Sequence, residues 1–244
     1  MMTTPITAAE LERLVSVERF ASFRRATSDL EAAVALYTWN ARVTGAFAEL
    51  LHHVEVLIRN AMHSQLTVLH SQAHGRPANK AWFDEPSWAK HHWFHHHAQI
   101  QIAKAAKRAG HTPNNPRPGK VIAALSFGFW RYLASARYEQ SFWVPALDNA
   151  FAAPGPRHKD RRQAVEQRLV FLHILRNRIS HCEPIIHPIQ HTSPRRPAKT
   201  LDELYADAIQ LVSFISPVAA QWLEHETRHL TRLLQARPVQ ARTK

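Results

Sequence analysis

The sequence predicts an all-α fold, a bundle of helices joined by irregular, proline-rich loops. Three observations carry that expectation. Apolar residues recur at helical spacing along most of the chain rather than alternating as in strands. Only 6 of the 244 residues are Gly, while Ala, Leu, Glu, Gln and Arg are abundant. The 15 Pro fall mainly between the periodic segments, where they end helices without interrupting them. A chain of 27.9 kDa can bury enough surface for one domain with a full core. One domain is therefore expected over residues 1–244, with its core at about 27–235 and a basic tail at 236–244.

Taken in order, residues 8–24 read as one short helix with Leu11, Leu14 and Val15 on a single side, packed as a lid. Ser28 followed three residues later by Glu31 has the form of a capping box and opens a helical pattern running to about Ser71. Unbroken, that helix would be roughly 65 Å long at 1.5 Å per residue, so Gly45 is expected to bend or break it. Its second half carries Glu55, Arg59, Asn60 and His63. These polar groups either grip neighbouring helices or support a site built elsewhere.

Residues 74–86 read as a loop, after which a helix starts at Trp88 and ends near Gly110. This helix carries HHWFHHH at 91–97, where His91 with His95 and His92 with His96 have the spacing that lets two imidazoles share a metal. No carboxylate or thiolate nearby completes a set, so a His-rich surface is expected and no metal site. Residues 111–119 are turn-rich. Lys120 to Ser135 reads as an apolar helix whose Phe127, Phe129 and Trp130 belong to the core rather than to a base-stacking platform, with Gly128 permitting close approach. Residues 142–151 read as short or irregular helix. The basic cluster Arg157, His158, Lys159, Arg161, Arg162 and Arg168 is expected to hold phosphates along a strand.

Chemistry concentrates at Val165 to His187. An apolar-rich helical pattern turns polar at Arg176, Asn177 and Arg178 and stops at Pro184, leaving His181 in the last turn. Asn177 and His181, four apart, share a face, and Arg176 is about 100° round from Asn177. Two readings fit these residues. One is a solvated basic helix end, favoured by the helix dipole; the other is a site that presents a guanidinium, an amide and an imidazole together. Beyond Pro184 the loop to Ala198, with His187, His191, Arg195 and Arg196, is expected to be mobile and to overhang the site. Thr200 and Glu203 form a second capping box, Pro217 is expected to kink the following helix, and a basic terminal helix frays into the tail.

A net charge of +12 and a pI near 10.5 point to polyanions, nucleic acid before membrane. The single Cys182 cannot form an internal disulfide, which fits a reducing cytoplasm. Glu10 and Glu12 stand where a signal peptide would need an apolar run, and no stretch reaches the roughly 18 apolar residues of a membrane span. There is no internal repeat, no phosphate-cradling Gly loop and no Ser-His-Asp order.

The segment RNRISHCEPI at 176–185 resembles the signature of the Abi-like (abortive infection) family of the HEPN superfamily: an Arg, a polar residue, and a His five to seven positions after the Arg. VEVLIRNAMHSQL at 54–66 and VIAALSFGFWRYL at 121–133 are similar to two further family segments, and the resemblance spans roughly residues 30 to 230. Family members often carry His or Asn after the motif His, where this chain has Cys182. The resemblance implies a HEPN-like helical bundle that forms a homodimer, two motifs facing each other across a cleft, and RNA cleavage without metal or cofactor. On that basis Arg176, Asn177 and His181 are the expected catalytic residues, with Arg178, Glu183, Arg59, Asn60, Arg161 and Arg162 binding RNA or supporting them. A cytoplasmic endoribonuclease of phage defence, or a toxin, is expected. The alternative is a non-catalytic module of the same fold that holds a noncoding RNA or a partner protein.

Overall fold

The computed structural model describes residues 6–74, 81–85, 93–153 and 158–238. The chain is all-α: helices dominate, and among the described residues the β features are two isolated bridges, Thr112 with Asn115 and Ile189 with Lys199. Ten α-helices are named in order as α1 (Ala8–Val15), α2 (Val17–Ala26), α3 (Leu30–His74), α4 (His96–Ala109), α5 (Pro118–Ala124), α6 (Phe127–Leu133), α7 (His158–Ser180), α8 (Leu201–Ser213), α9 (Pro217–Glu226) and α10 (Arg228–Gln235).

The spine is α3, and the break expected at Gly45 does not occur. Its 45 residues run on without interruption, roughly 67 Å at 1.5 Å per residue. An exposed Gly in a helix interior costs about 1 kcal/mol relative to Ala. On either side of it Leu36, Val43, Phe47, Leu50, Val54, Ile58, Met62 and Leu66 are all fully buried, each large apolar side chain contributing roughly 1.5–3 kcal/mol. Burial outweighs the glycine. Helices α1, α2, α6, α7, α8 and α10 all pack on this spine, and the buried residues form one continuous cluster.

Several expected boundaries are corrected by local hydrogen bonding. Residues 8–24 are two helices, because Ser16 takes φ 81° and its Oγ accepts from the Arg19 N–H to start α2. The cap of α3 is Asp29, whose Oδ1 accepts from the Ala32 N–H at 2.8 Å; Ser28 instead donates to the Asp29 carboxylate. Lys120–Ser135 divides into α5 and α6, since Ser126 caps a fresh helix by accepting from the Phe129 N–H. Pro217 stands in the first turn of α9 behind the Ser216 cap, so the chain breaks there rather than kinking. The expected start at Trp88 and the tail from 239 onward lie outside the described residues.

Other expectations match. Gly110, at φ 61°, closes α4, and the Thr200–Glu203 capping box is formed in both directions. Phe127, Phe129 and Trp130 are buried, joining Trp82, Phe94, Tyr138 and Phe142 in an aromatic core. Residues 136–151 are short 3₁₀ and π turns. The connection after Pro184 does not overhang loosely: Ile185, Ile186 and Ile189 are buried. It is also tied by Asn40 Oδ1 accepting from the Ile185 N–H at 2.9 Å and by Arg237 Nη2 donating to the Ile186 carbonyl at 2.7 Å. Among the described residues no helix is long and apolar enough to cross a membrane.

Candidate functional site

The C-terminal end of α7 owes its exposure to the way the helix is anchored and stopped. Val165, Leu169, Phe171, Leu172 and Leu175 bury its middle turns against α3 and α8. The apolar run then ends, and the helix closes on two turn bonds: Cys182 N–H to the Ile179 carbonyl at 3.1 Å, and Glu183 N–H to the Arg178 carbonyl at 2.8 Å. Cys182 sits between them at φ 54°, the left-handed residue of a Schellman cap. Arg176 and His181 are exposed, and Asn177 and Arg178 are half-buried.

Two neighbourhoods meet along this helix end. In the first, Asn177 Nδ2 lies 3.5 Å from His173 Nε2, one turn back, and the Phe127 ring lies 5.9 Å from that imidazole. Gly128 makes room for it: a Cβ there would stand 3.1 Å from His173 Nε2. Burial lowers the His173 pKa below its ordinary value, helped by the positive charges of Arg131 and Arg176, so the ring is held neutral. Glu55 on α3 faces the same region. Burial raises its pKa, while Arg176, Arg59 and His52 pull in the opposite direction. Arg176 therefore acts electrostatically on both Glu55 and His173, yet its guanidinium makes no ion pair among the described residues.

The second neighbourhood belongs to His181. It lines a cleft of about 240 Å³ together with Arg19 from α2, Tyr37 and Asn40 from α3, and Glu183 beyond its own helix. Residues five apart on a helix project about 140° from each other, which explains why Arg176 and His181 have different neighbours. Asn177 stands between them on the stripe His173, Asn177, His181. Arg178 pairs with Glu183 at 3.3 Å across the cap, an exposed pair that contributes little.

Arg59 and Arg176 thus both act on Glu55, Asn177 stands beside His173, and His181 and Glu183 line the separate cleft around the helix end. Asn60 is exposed on α3. Arg161 and Arg162, expected to bind RNA or support the site, are not part of this group. Arg161 binds Asp148 at 2.7 Å, and Arg162 binds Glu166 at 2.6 Å, Glu139 at 3.1 Å and the Ala134 carbonyl at 3.2 Å, four turns away from Arg176. His63 grips a neighbour, its Nδ1 accepting from Trp82 Nε1 at 2.9 Å. In the His-rich segment His96 and His97 are exposed, while His91 and His92 lie outside the described residues. Among the described residues no group of three or more His, Cys, Asp or Glu is placed to hold a metal ion.

Sequence reasoning missed His173, whose apolar neighbours Phe171, Leu172 and Ile174 gave it the look of a core position. The available signal was its place four residues before Asn177 and eight before His181. Arg19, Tyr37 and Asn40 gave no local signal, because only the tertiary fold brings them to His181.

No protein-family model matches the chain, and no curated protein and no solved structure matches it. Fold and site together define a class: an all-α protein whose second-longest helix ends in an exposed cluster of cationic, amide and imidazole groups.

Proposed function

We propose that this chain is a metal-independent endoribonuclease of the HEPN type, acting in phage defence or as a toxin. The observation that carries the reading is that the C-terminal end of α7 leaves Arg176 and His181 exposed on either side of the half-buried Asn177, with no carboxylate clamping the Arg176 guanidinium among the described residues. The resemblance of RNRISHCEPI to the family signature supports it, as does the net charge of +12.

RNA carries its own nucleophile, so little is asked of the protein. His181 takes the proton of the 2′-hydroxyl as the 2′-oxygen bonds to phosphorus; the bond from phosphorus to the 5′-oxygen breaks, and that oxygen is protonated by a second imidazole. The products are a 2′,3′-cyclic phosphate and a 5′-hydroxyl. Arg176 stabilises the charge on the pentacoordinate phosphorane, Asn177 orients a phosphate oxygen or the imidazole, and Arg178 binds flanking phosphate. One imidazole cannot be base and acid in the same step, which is the reason to expect a homodimer contributing two copies of the motif.

The test is cleavage of labelled RNA in EDTA by the wild type, His181→Ala and Arg176→Ala, with product ends identified. Cyclic-phosphate ends from the wild type alone support catalysis. Intact RNA, bound tightly and released by salt, would instead make the chain a binding module.

A further inference from the structure

The cleft beside His181 has the composition of a site for a single planar ring. We infer that it is a nucleobase pocket selecting a base with carbonyl acceptors, guanine or uracil, next to the phosphate at His181. The assignment rests on the ribonuclease reading for the identity of the strand, but the pocket chemistry stands on its own residues.

At about 240 Å³ the cleft is smaller than the roughly 300–1,000 Å³ of sites for drug-sized ligands. Val15 and Phe23 supply apolar wall, and the Tyr37 ring, held edge-on against Phe23 at 5.4 Å, supplies an aromatic surface of the kind on which unstacked bases rest. Glu183, the carboxylate in the lining, is engaged by Arg178 at 3.3 Å, and the polar groups contributed by α2 and α3 are biased towards donors. Asn40 has its Oδ1 occupied by the Ile185 N–H, which leaves the two N–H donors of Nδ2 without a partner among the described residues. The exposed Arg19 guanidinium, which makes no ion pair among the described residues, adds donors in a fork that suits adjacent acceptors such as O6 and N7 of guanine. A base edge offering an amino group towards Arg19 and Asn40 would meet donors facing donors. The cleft is also where the backbone is strained. Among the described residues the two non-glycine positions with positive φ are Cys182, which lines it, and Ser16, which adjoins the lining residue Val15.

The decisive variant is Asn40→Asp, which keeps an oxygen for the Ile185 N–H and replaces the amide donors by an acceptor. Affinities for the four nucleoside 3′-phosphates are measured by titration calorimetry on the full chain, alongside mapping of the cut sites in RNA. The wild type is expected to bind guanosine and uridine 3′-phosphates about tenfold more tightly than those of adenosine and cytidine. Asn40→Asp is expected to reverse that order, and Arg19→Gln, a substitution at an exposed side chain, to weaken the carbonyl bases selectively. Equal affinities for all four nucleotides, or an equal loss for all four in Arg19→Gln, would overturn the pocket. If RNA is cut but Asn40→Asp and Arg19→Gln change neither affinity nor cut sites, the pocket falls and the ribonuclease stands. If nucleotide preference reverses while RNA stays intact, the pocket stands and the ribonuclease falls. Cut sites that follow the preference show that the base is taken from a strand; a preference confined to free nucleotides assigns the cleft to a mononucleotide.

Discussion

The two ends of α7 are both rich in arginine, and they treat it in opposite ways. In the first half Arg161, Arg162 and Arg168 keep side-chain exposures of 13%, 15% and 18% and are bound to Asp148, to Glu166 and Glu139, and to Asp207. At the far end, among the described residues, Arg176 is exposed and unclamped, and Arg178 pairs with the 52%-exposed Glu183. The acids that decide this come from elsewhere: Asp148 from the 3₁₀ turn Leu147–Phe151, Asp207 from α8. Among these arginines the helix is thus half structural clamp and half open charge, and those of the open half have cationic charge available for a phosphate.

The sharpest way to break this contrast is to remove a charge from each end. Arg176→Ala and His181→Ala are expected to lower RNA cleavage by at least about 10²-fold while leaving the melting temperature within a degree or two, since both side chains are exposed. Arg161→Ala is expected to do the reverse. It takes a close cationic partner from Asp148, which is 4% exposed, and costs about 1–3 kcal/mol, a fall of roughly 2–12 °C in Tm for a chain of this size. Cleavage at a temperature where the variant is folded should be unchanged. If Arg161→Ala abolishes cleavage without loss of stability, the division of α7 is wrong.

His173 lies at the boundary between the two ends, and pH probes it. Burial lowers the pKa of His173, and likewise those of His63 and His191, below the ordinary 6.5, so the unfolded chain binds more protons than the folded one in the window beneath 6.5. The stability these neutral imidazoles contribute is complete above that value and is lost as pH falls through the window. Glu55 acts with the opposite sign, because its raised pKa makes the folded state bind the extra proton above the ordinary 4.5. Melting curves at pH 7.5 and 5.5 should therefore show the wild type losing stability on acidification, and His173→Gln losing less. Identical slopes would mean that the imidazole is not held neutral in the fold.

The all-α class, the aromatic core and the Thr200 capping box were legible because each follows from spacing or from residues within one turn. What was not legible depended on contacts between elements. Gly45 signals a break when only propensity is weighed, yet Phe47 and Val43 on either side are buried by helices the local sequence does not reveal. Arg161 and Arg162 read as phosphate ligands because their acids, apart from the nearby Glu166, are supplied by other segments. The motif at 176–181 was legible as a set of residues on one helix, and the angle of about 140° between Arg176 and His181 follows from their spacing; which residues of α2 and α3 wall each side was not legible.

The smallest effect concerns the residue that ends the open half. Cys182 holds φ 54°, a conformation costing a residue with a Cβ about 1–2 kcal/mol, of which Gly recovers part and loses some again through its freer unfolded chain. Cys182→Gly is expected to stabilise the protein by about 0.5–1 kcal/mol, raising Tm by roughly 2–3 °C, while Cys182→Ala, which keeps the penalty, should gain nothing. Asn and His are the side chains best represented with positive φ after Gly, along with Asp. The conformation at Cys182 is set by helix termination and asks no chemical role of its side chain. Cleavage by Cys182→Gly and by Cys182→Ala should then equal that of the wild type. A variant that melts higher yet has lost cleavage would show that the thiol itself takes part beside His181, and the open end of α7 would have to be drawn one residue longer.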